Sequence, residues 1–248
     1  LGGRSLRGGG DWCTSDVQLS VFTHTMEAQT ATGDDWLGDM RKRAAAALRL
    51  RSVGASREQT AEWWRQFWSR SRLVVSDRSG GDKAWAAAWN VSRGYALARY
   101  LNAIQGRGAF PIHFNGGTVS WGAPRQDANP DYRFWGGAYW FQNTRHVYWP
   151  MLSSGDFDLL APLFKMYAQR ELPAMAARAR EWWHAKGASF AETAYFFGAY
   201  TPSNYGCGRK GVPDIADPFI AHHYEGGVEL AHMMLRAYAH QPADVGGD

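Results

Sequence analysis

Residues 95–116 read Tyr-Ala-Leu-Ala-Arg-Tyr-Leu-Asn-Ala-Ile-Gln-Gly-Arg-Gly-Ala-Phe-Pro-Ile-His-Phe-Asn-Gly, a change from helix formers to loop formers. Alanine, leucine and arginine favour a helix, and the same composition extends back over 83–105. Gly106 and Gly108 are typical of a helix end. Residues 110–117 then combine proline, asparagine and glycine, so they predict an extended loop. The stretch therefore predicts one long helix that runs directly into a loop.

Helical patterns also dominate the remainder of the chain. They predict helices over 34–50, 56–68, 135–150, 157–169, 172–185 and 217–240. The alternating, β-branched run over 16–25 predicts a single strand, and residues 187–213 predict a long loop. Helices that follow one another with loops of alternating length indicate a mainly α fold of paired helices, either an open array or a closed toroid.

Two local signals set helix boundaries. Ser56 and Gln59 have the spacing of a capping box, which predicts that a helix begins there. Pro150 lacks a backbone N–H and is expected to end the helix before it. Asp34 and Asp35 place negative charge where the first long helix should begin.

The composition excludes several classes of protein. The chain has 248 residues, of which 45% are hydrophobic and 20% charged, as in a globular protein. The net charge of +4 comes from scattered basic residues, so we expect no nucleic-acid partner. No apolar run approaches the roughly 20 residues of a membrane span, so we expect no membrane-spanning segment. Cys13 and Cys207 lack metal-ligand spacing and leave both pairing and compartment open.

The segment over 131–145 carries the strongest chemical signal. It reads Asp-Tyr-Arg-Phe-Trp-Gly-Gly-Ala-Tyr-Trp-Phe-Gln-Asn-Thr-Arg. Aromatic faces can cover the apolar side of a sugar ring, while carboxylates, amides and guanidinium groups pair with its hydroxyls. This mixture predicts a carbohydrate site. The candidate substrate-binding residues are Asn115, Asp131, Arg133, Trp135, Gln142, Asn143, Arg145 and Tyr205.

Each of these candidates also has a structural alternative. Asp131 and Arg133 could pair with each other, and Asn115 could simply form a turn. The predicted helix spreads Gln142, Asn143 and Arg145 over more than one face, so not all three can point into one site.

The stretch over 95–116, together with Asp131–Tyr132 and the aromatic segment after it, resembles the six-hairpin (α/α toroid) glycosidases. The resemblance continues through 148–150 and 163–164 and covers about residues 55–240. Within this superfamily the chain is most similar to the alpha-L-fucosidase family with that fold and to its uncharacterised relatives. Residues 16–25 resemble the last strand of the β-sandwich that precedes the toroid in that family.

The resemblance implies a fold and a domain organisation. It implies a mainly α chain in which residues 56–248 form part of an (α/α)6 toroid with catalytic function. Residues 34–55 would be a linker helix. Residues 1–33 would be a connector and the end of an N-terminal β-sandwich. We expect the chain to be an internal piece of a longer, secreted or periplasmic protein.

Two features of the fucosidase family have no counterpart in this chain. The family places an Asn-x-Asn pair before its aromatic stretch, where it positions the catalytic water, and Gly136 and Ala138 occupy that place here. The aspartate that acts as base in the family also has no match. The sugar, the linkage and the stereochemistry therefore stay open.

Glycoside hydrolysis requires two carboxyl groups, one of which protonates the leaving oxygen. Glu192 lies in the apolar run over 190–198, near the place where the family carries its general acid. Its alternative role is that of a helix-capping glutamate. Glu225 is the second candidate, since it precedes Gly226 and Gly227, which permit close approach. Its alternative is a buried structural carboxylate.

We expect neither a cofactor nor a metal. His222 and His223 are adjacent, so on a helix their side chains point about 100° apart and a third ligand is missing. No Gly-x-Ser-x-Gly motif predicts a serine hydrolase.

The expected function is hydrolysis of a glycan or oligosaccharide, with Glu192 as general acid; inversion is what the resemblance implies. The missing asparagine pair keeps a non-catalytic carbohydrate-binding toroid as an alternative. A polysaccharide lyase on the same fold is a further alternative, which Arg133, Arg145, Tyr139 and His146 would serve.

Overall fold

The computed structural model describes residues 21–24, 32–50, 53–78, 80–114, 138–196 and 225–241. The described chain is mainly helical, which confirms the predicted class, while the toroid stays a prediction. Its helices are α1 Gly33–Leu50, α2 Val53–Arg70, α3 Asp82–Gln105, α4 Phe141–Ser154, α5 Ala161–Lys165, α6 Leu172–Trp183 and α7 Glu225–His240.

The chain divides into two compact units, Leu1–Trp64 and Arg65–Asp248. In the first unit, α1 begins with a reciprocal cap. The Asp35 backbone N–H donates to the Thr32 hydroxyl at 3.2 Å, and the Thr32 N–H donates to the Asp35 carboxylate at 2.8 Å. The backbone N–H and hydroxyl of Thr32 lower the pKa of Asp35. Residues 21–24 belong to no strand, so the strand predicted over 16–25 is wrong at its described end.

Helix α2 begins at Val53, three residues before the predicted start. Ser56 is already helical, and its carbonyl accepts a hydrogen bond from the Thr60 hydroxyl at 2.9 Å. The capping-box prediction is therefore wrong, because a capping serine must lie outside the helical conformation. Residues 53–55 extend the helix on the N-terminal side of Ser56, the predicted capping residue.

Helix α3 confirms the prediction over 83–105 and ends at Gln105. Gly106 has a right-handed φ of −79°, so backbone conformation does not require glycine there. Crowding does, since a Cβ at Gly106 would lie 2.9 Å from the Asn102 carbonyl and 3.2 Å from Leu159 Cδ2. The glycine lets the chain turn closely against its neighbours.

Helix α4 differs from the prediction at both ends. It begins at Phe141 because Tyr139–Trp140 form a short strand, β1. It also continues through Pro150 to Ser154 and ends at Gly155, which has the left-handed φ of 71°. Pro150 is exposed and removes a single N–H, while buried neighbours on the opposite face hold the helix together.

The predicted break near residues 170–171 is also wrong. A 3₁₀ turn over Phe157–Leu159 leads into α5, and a π-helix over Met166–Glu171 joins α5 to α6 without interruption. Pro173 lies in the first turn of α6 and has no N–H to donate. The π-helix is a rare conformation that occurs frequently at functional sites.

An ion pair lies inside the second unit. Arg99 and Asp156 are 4% and 2% exposed, and two hydrogen bonds join them at 2.9 and 2.7 Å. The Ser154 hydroxyl donates to the same carboxylate at 2.6 Å. Arg99 also donates to the carbonyls of Phe67 and Ser71. The pair therefore connects α3 with the ends of α2 and α4.

Candidate functional site

A two-stranded antiparallel sheet brings together two distant segments of the chain. Strand β1 pairs with β2, Thr193–Ala194, in the register Tyr139 to Ala194 and Trp140 to Thr193. The aromatic segment and the segment around Glu192 were selected from the sequence for separate reasons. The strand pairing makes them neighbours.

Glu192 is bound to the N-terminus of α4. Its side chain is buried, with 2% exposure. The Phe141 N–H donates to the Glu192 carbonyl at 2.8 Å, and the Gln142 N–H donates to its carboxylate Oε1 at 3.0 Å. The first N–H groups of a helix lack intrahelical partners and favour negative charge. Glu192 is thus a helix cap, but of a helix 50 residues earlier in the chain.

Three tyrosines of this unit are buried, namely Tyr139 of β1, Tyr148 of α4 and Tyr167 of the π-helix. Burial, followed by the charge of Glu171, raises the pKa of Tyr139 to about 12. Burial also raises the pKa of Tyr148 and of Tyr167 well above the usual value. Tyr139 donates to the Pro111 carbonyl at 3.1 Å, so its proton is held in place. All three phenols are therefore neutral at physiological pH.

Glu171 is a further buried acid that the sequence did not reveal. Its side chain is fully buried, and neither carboxyl oxygen has a hydrogen-bond partner among the described residues. Burial raises the pKa of Glu171 to about 8. The run Gln169-Arg170-Glu171 is polar, as is typical of an exposed part of a helix, yet Glu171 is buried within the π-helix. The nearby Pro173 was the available signal of irregular helix.

Glu225 and Arg145 form a polar contact between α7 and α4. Arg145 Nη1 lies 3.1 Å from Glu225 Oε1 and 2.5 Å from Glu229 Oε2. Hydrogen bonding to Glu229, which also accepts from the Trp149 indole at 2.5 Å, is the main reason that the pKa of Arg145 is raised. The Glu225 side chain is 64% exposed, so the alternative of a buried structural carboxylate is wrong.

The other predicted residues divide into two groups. Gln142 is exposed and Asn143 is half-buried on α4. The Gln142 backbone N–H binds the Glu192 carboxyl group, so the exposed amide side chain belongs to a residue that contacts the buried acid. The candidates outside the described residues are Asn115, Asp131, Arg133, Trp135 and Tyr205, together with the histidines His222 and His223.

A groove of about 640 Å³ lies between α6 and α7. Trp183, Phe190 and Val228 supply much of its apolar lining, and Lys186 adds a cation. A Cβ at Gly227 would lie 2.9 Å from the Phe190 ring, so glycine there lets Phe190 pack against α7. The volume falls within the usual range for small-ligand sites, and Phe190 lies two residues before Glu192.

None of the helices in the described ranges has the length and apolar composition that crossing a membrane requires. Within the same ranges, no group of three histidine, cysteine, aspartate or glutamate side chains could hold a metal ion. Comparisons with protein-family models, curated proteins and solved structures find no match. The resemblance to six-hairpin glycosidases therefore stays a prediction.

Proposed function

We propose that the protein is a glycoside hydrolase in which Glu192 is the general acid. The observation that carries this proposal is the contact between Glu192 and the start of α4, where its carboxyl group accepts the Gln142 N–H. The described part of the aromatic and amide-rich segment, residues 138–145, thereby adjoins a buried carboxyl group. A proton donor beside a sugar-binding surface is what glycosidic cleavage requires.

The surroundings of Glu192 suit a general acid. Glu192 is buried, and the N–H that it accepts at the start of α4 would stabilise the carboxylate left after proton transfer. The Gln142 N–H also fixes the orientation of the carboxyl group, so that the proton is delivered in one direction.

The wider surface supports a carbohydrate rather than a compact metabolite. The groove near Phe190 is apolar with an aromatic wall, as needed for the C–H face of a sugar ring. Arg145 and Glu229 on the adjoining helices carry partly exposed polar groups that can pair with hydroxyls. An oligosaccharide would be long enough to use both surfaces.

The test compares the protein with its Glu192→Gln variant on a panel of oligosaccharides and aryl glycosides. Glutamine keeps an oxygen that can accept the Gln142 N–H, so the helix cap is preserved while the proton is lost. We expect kcat/KM for oligosaccharides to fall by about 10²- to 10⁴-fold. Dinitrophenyl glycosides should lose much less, because their leaving group departs without a proton.

Two further variants identify the acid. Glu225→Gln tests the second candidate, and Glu181→Gln, an exposed position on α6, is the matched control. Equal losses on both substrate types in Glu192→Gln would remove Glu192 from the role of acid. A selective loss in Glu225→Gln would transfer the role to Glu225. Sugar binding without any turnover would favour a carbohydrate-binding protein instead.

A further inference from the structure

A second cavity of the unit Arg65–Asp248 lies between α3 and α4. Its volume is about 130 Å³, and it shares no lining residue with the groove near Phe190. This volume is below the several hundred Å³ of a site for a drug-sized molecule, but it admits more than one water molecule. The cavity therefore suits a compact group, such as part of one sugar ring.

The cavity leads from the surface to a buried floor. Ala98 and His146 are exposed and mark its mouth, whereas Asn102 and Met151 are buried and mark its floor. Two half-buried aromatic rings, those of Tyr95 and Phe114, also line it. A ligand that enters from solvent thus meets aromatic side chains before it reaches the floor.

Asn102 is the polar residue of the floor whose side chain is unsatisfied. It is 8% exposed, and its Oδ1 atom has no hydrogen-bond partner among the described residues. Three other polar residues of the wall bind one another, since Arg99 and the Ser154 hydroxyl both donate to the Asp156 carboxylate. A buried acceptor without a partner costs stability, and native proteins generally satisfy such atoms. The Asn102 amide is therefore available to a group that enters the cavity.

The charges around the cavity favour a neutral ligand. Arg99 pairs with Asp156 at 2.7 Å, and Arg70 lies 3.5 Å from Asp156 and 2.6 Å from Asp158, so these four residues carry no net charge. An amide oxygen requires a donor, which an ionised carboxylate lacks, and a cation gains nothing from a neutral wall. A hydroxyl group both donates and accepts, so it can satisfy either end of the Asn102 amide.

Helix α4 connects the cavity with the proposed acid. Gln142, whose backbone N–H binds Glu192, lies one turn before His146 at the mouth of the cavity. Residues at i and i+4 lie on the same face of a helix, and both of these side chains are exposed. The helical rise places them about 6 Å apart along the axis. A chain of sugars that is cleaved at Glu192 can therefore reach the cavity along this face.

We propose that the cavity between α3 and α4 is a subsite for one neutral, hydroxyl-bearing sugar unit, with Asn102 as its specificity-determining residue. The inference rests on the proposed function, because it names the substrate class and adds a subsite for a sugar unit away from the cleaved bond. A hydroxyl of that unit donates to Asn102 Oδ1, and its ring lies beside Tyr95 and Phe114.

The first experiment measures binding and requires no turnover. The probes are the methyl glycosides of glucose, galactose and mannose, with methyl galacturonoside as the anionic comparison. The NMR signal of the Asn102 side-chain amide, identified by its loss in Asn102→Leu, should shift with at least one neutral glycoside. Leucine roughly keeps the shape of asparagine and removes the amide. The affinity of Asn102→Leu for that glycoside, measured by calorimetry, should be lower by about tenfold.

Two further variants locate the site. Ala98→Trp narrows the mouth from an exposed position and leaves Asn102 in place, so it should abolish binding. Asn90→Leu is the matched control, because Asn90 is exposed on the same helix, and it should bind as the protein does. Binding that survives both Asn102→Leu and Ala98→Trp would overturn the inference. So would tighter binding of the galacturonoside, or no shift with any neutral glycoside.

Kinetics separate this inference from the proposed function. Asn102→Leu should lower kcat/KM for oligosaccharides by about tenfold, but for single-sugar aryl glycosides by less than about twofold, since these do not reach the cavity. Equal losses on both substrates would mean a structural role and would overturn the subsite. If glycosides bind at Asn102 and none is hydrolysed, the proposed function fails and the subsite stands. If turnover depends on Glu192 but is insensitive to Asn102→Leu and Ala98→Trp, the subsite fails and the proposed function stands.

Discussion

Asp156 and Glu171 are both buried acids of the unit Arg65–Asp248, but their carboxyl groups have opposite surroundings. Asp156 is held by Arg99 through two hydrogen bonds and by the Ser154 hydroxyl. Glu171 has no hydrogen-bond partner among the described residues, and its pKa is raised to about 8 by burial. The hydrogen bonds of Asp156 stabilise the folded protein, whereas ionisation of the unpartnered Glu171 would destabilise it. The difference teaches that two equally buried acids can have opposite effects on stability, according to whether their carboxyl groups have hydrogen-bond partners.

The largest expected effect comes from breaking the satisfied pair. Asp156→Ala leaves the Arg99 guanidinium buried with only carbonyl and aromatic neighbours. We expect the free energy of unfolding to fall by about 3–5 kcal/mol, as measured by chemical denaturation. The double variant Arg99→Met/Asp156→Leu removes both charges and should recover most of that loss. A double variant as unstable as Asp156→Ala would show that packing, not charge, holds this region.

Replacing the unpartnered acid Glu171 should stabilise the protein, in contrast to replacing Asp156. Its pKa lies above the ordinary value of 4.5, so between about pH 4.5 and 8 the unfolded chain releases a proton that the folded protein retains. The folded state therefore loses stability as pH rises across that window. Glu171→Gln removes this dependence and should raise the free energy of unfolding at pH 7 by roughly 3 kcal/mol.

The measurement for Glu171→Gln is chemical denaturation at several pH values with Glu181→Gln as control. The gain should vanish near pH 4, where both folded and unfolded states of the protein are protonated. A variant that is less stable than the protein at every pH would mean that Glu171 has partners which hold it in place. A variant that is more stable and less active would fit a group retained for function.

The same comparison applies to two buried tyrosines. The Tyr148 hydroxyl accepts the Ile112 N–H at 2.6 Å, whereas the Tyr167 hydroxyl has no hydrogen-bond partner among the described residues. Tyr148→Phe leaves a buried N–H without an acceptor and should destabilise the protein by about 1–3 kcal/mol. Tyr167→Phe should change stability by less than about 1 kcal/mol. Equal losses in thermal or chemical denaturation would contradict this distinction.

The sequence predicted what depends on local pattern. Helix α3 was placed correctly because its helix formers end at two glycines. The prediction that Pro150 ends the helix was wrong, because the buried contacts of α4 outweigh the loss of one N–H. Glu171 could not be found, because its neighbours Gln169 and Arg170 are polar and predict an exposed part of a helix, whereas the folded chain buries Glu171.

The candidate site was partly predictable for a related reason. Glu192 was selected from its apolar neighbours and from the family resemblance, which are both features of the local sequence. Its partner was not predictable, because the N–H that it accepts comes from Gln142 across a pair of two-residue strands. Two-residue strands leave no alternating pattern to detect. The long-range contact therefore required the fold.

The smallest effect is expected at the exposed acid Glu225, which completes the comparison. Its side chain is 64% exposed and lies 3.1 Å from Arg145, which Glu229 also holds at 2.5 Å. Exposed ion pairs contribute little because water screens them, so Glu225→Gln should change the free energy of unfolding by less than about 0.5 kcal/mol. Glu229→Gln should have a larger effect, since Glu229 also accepts the Trp149 indole N–H. If Glu225→Gln instead abolished turnover at unchanged stability, the exposed acid Glu225 would take the role proposed for the buried Glu192.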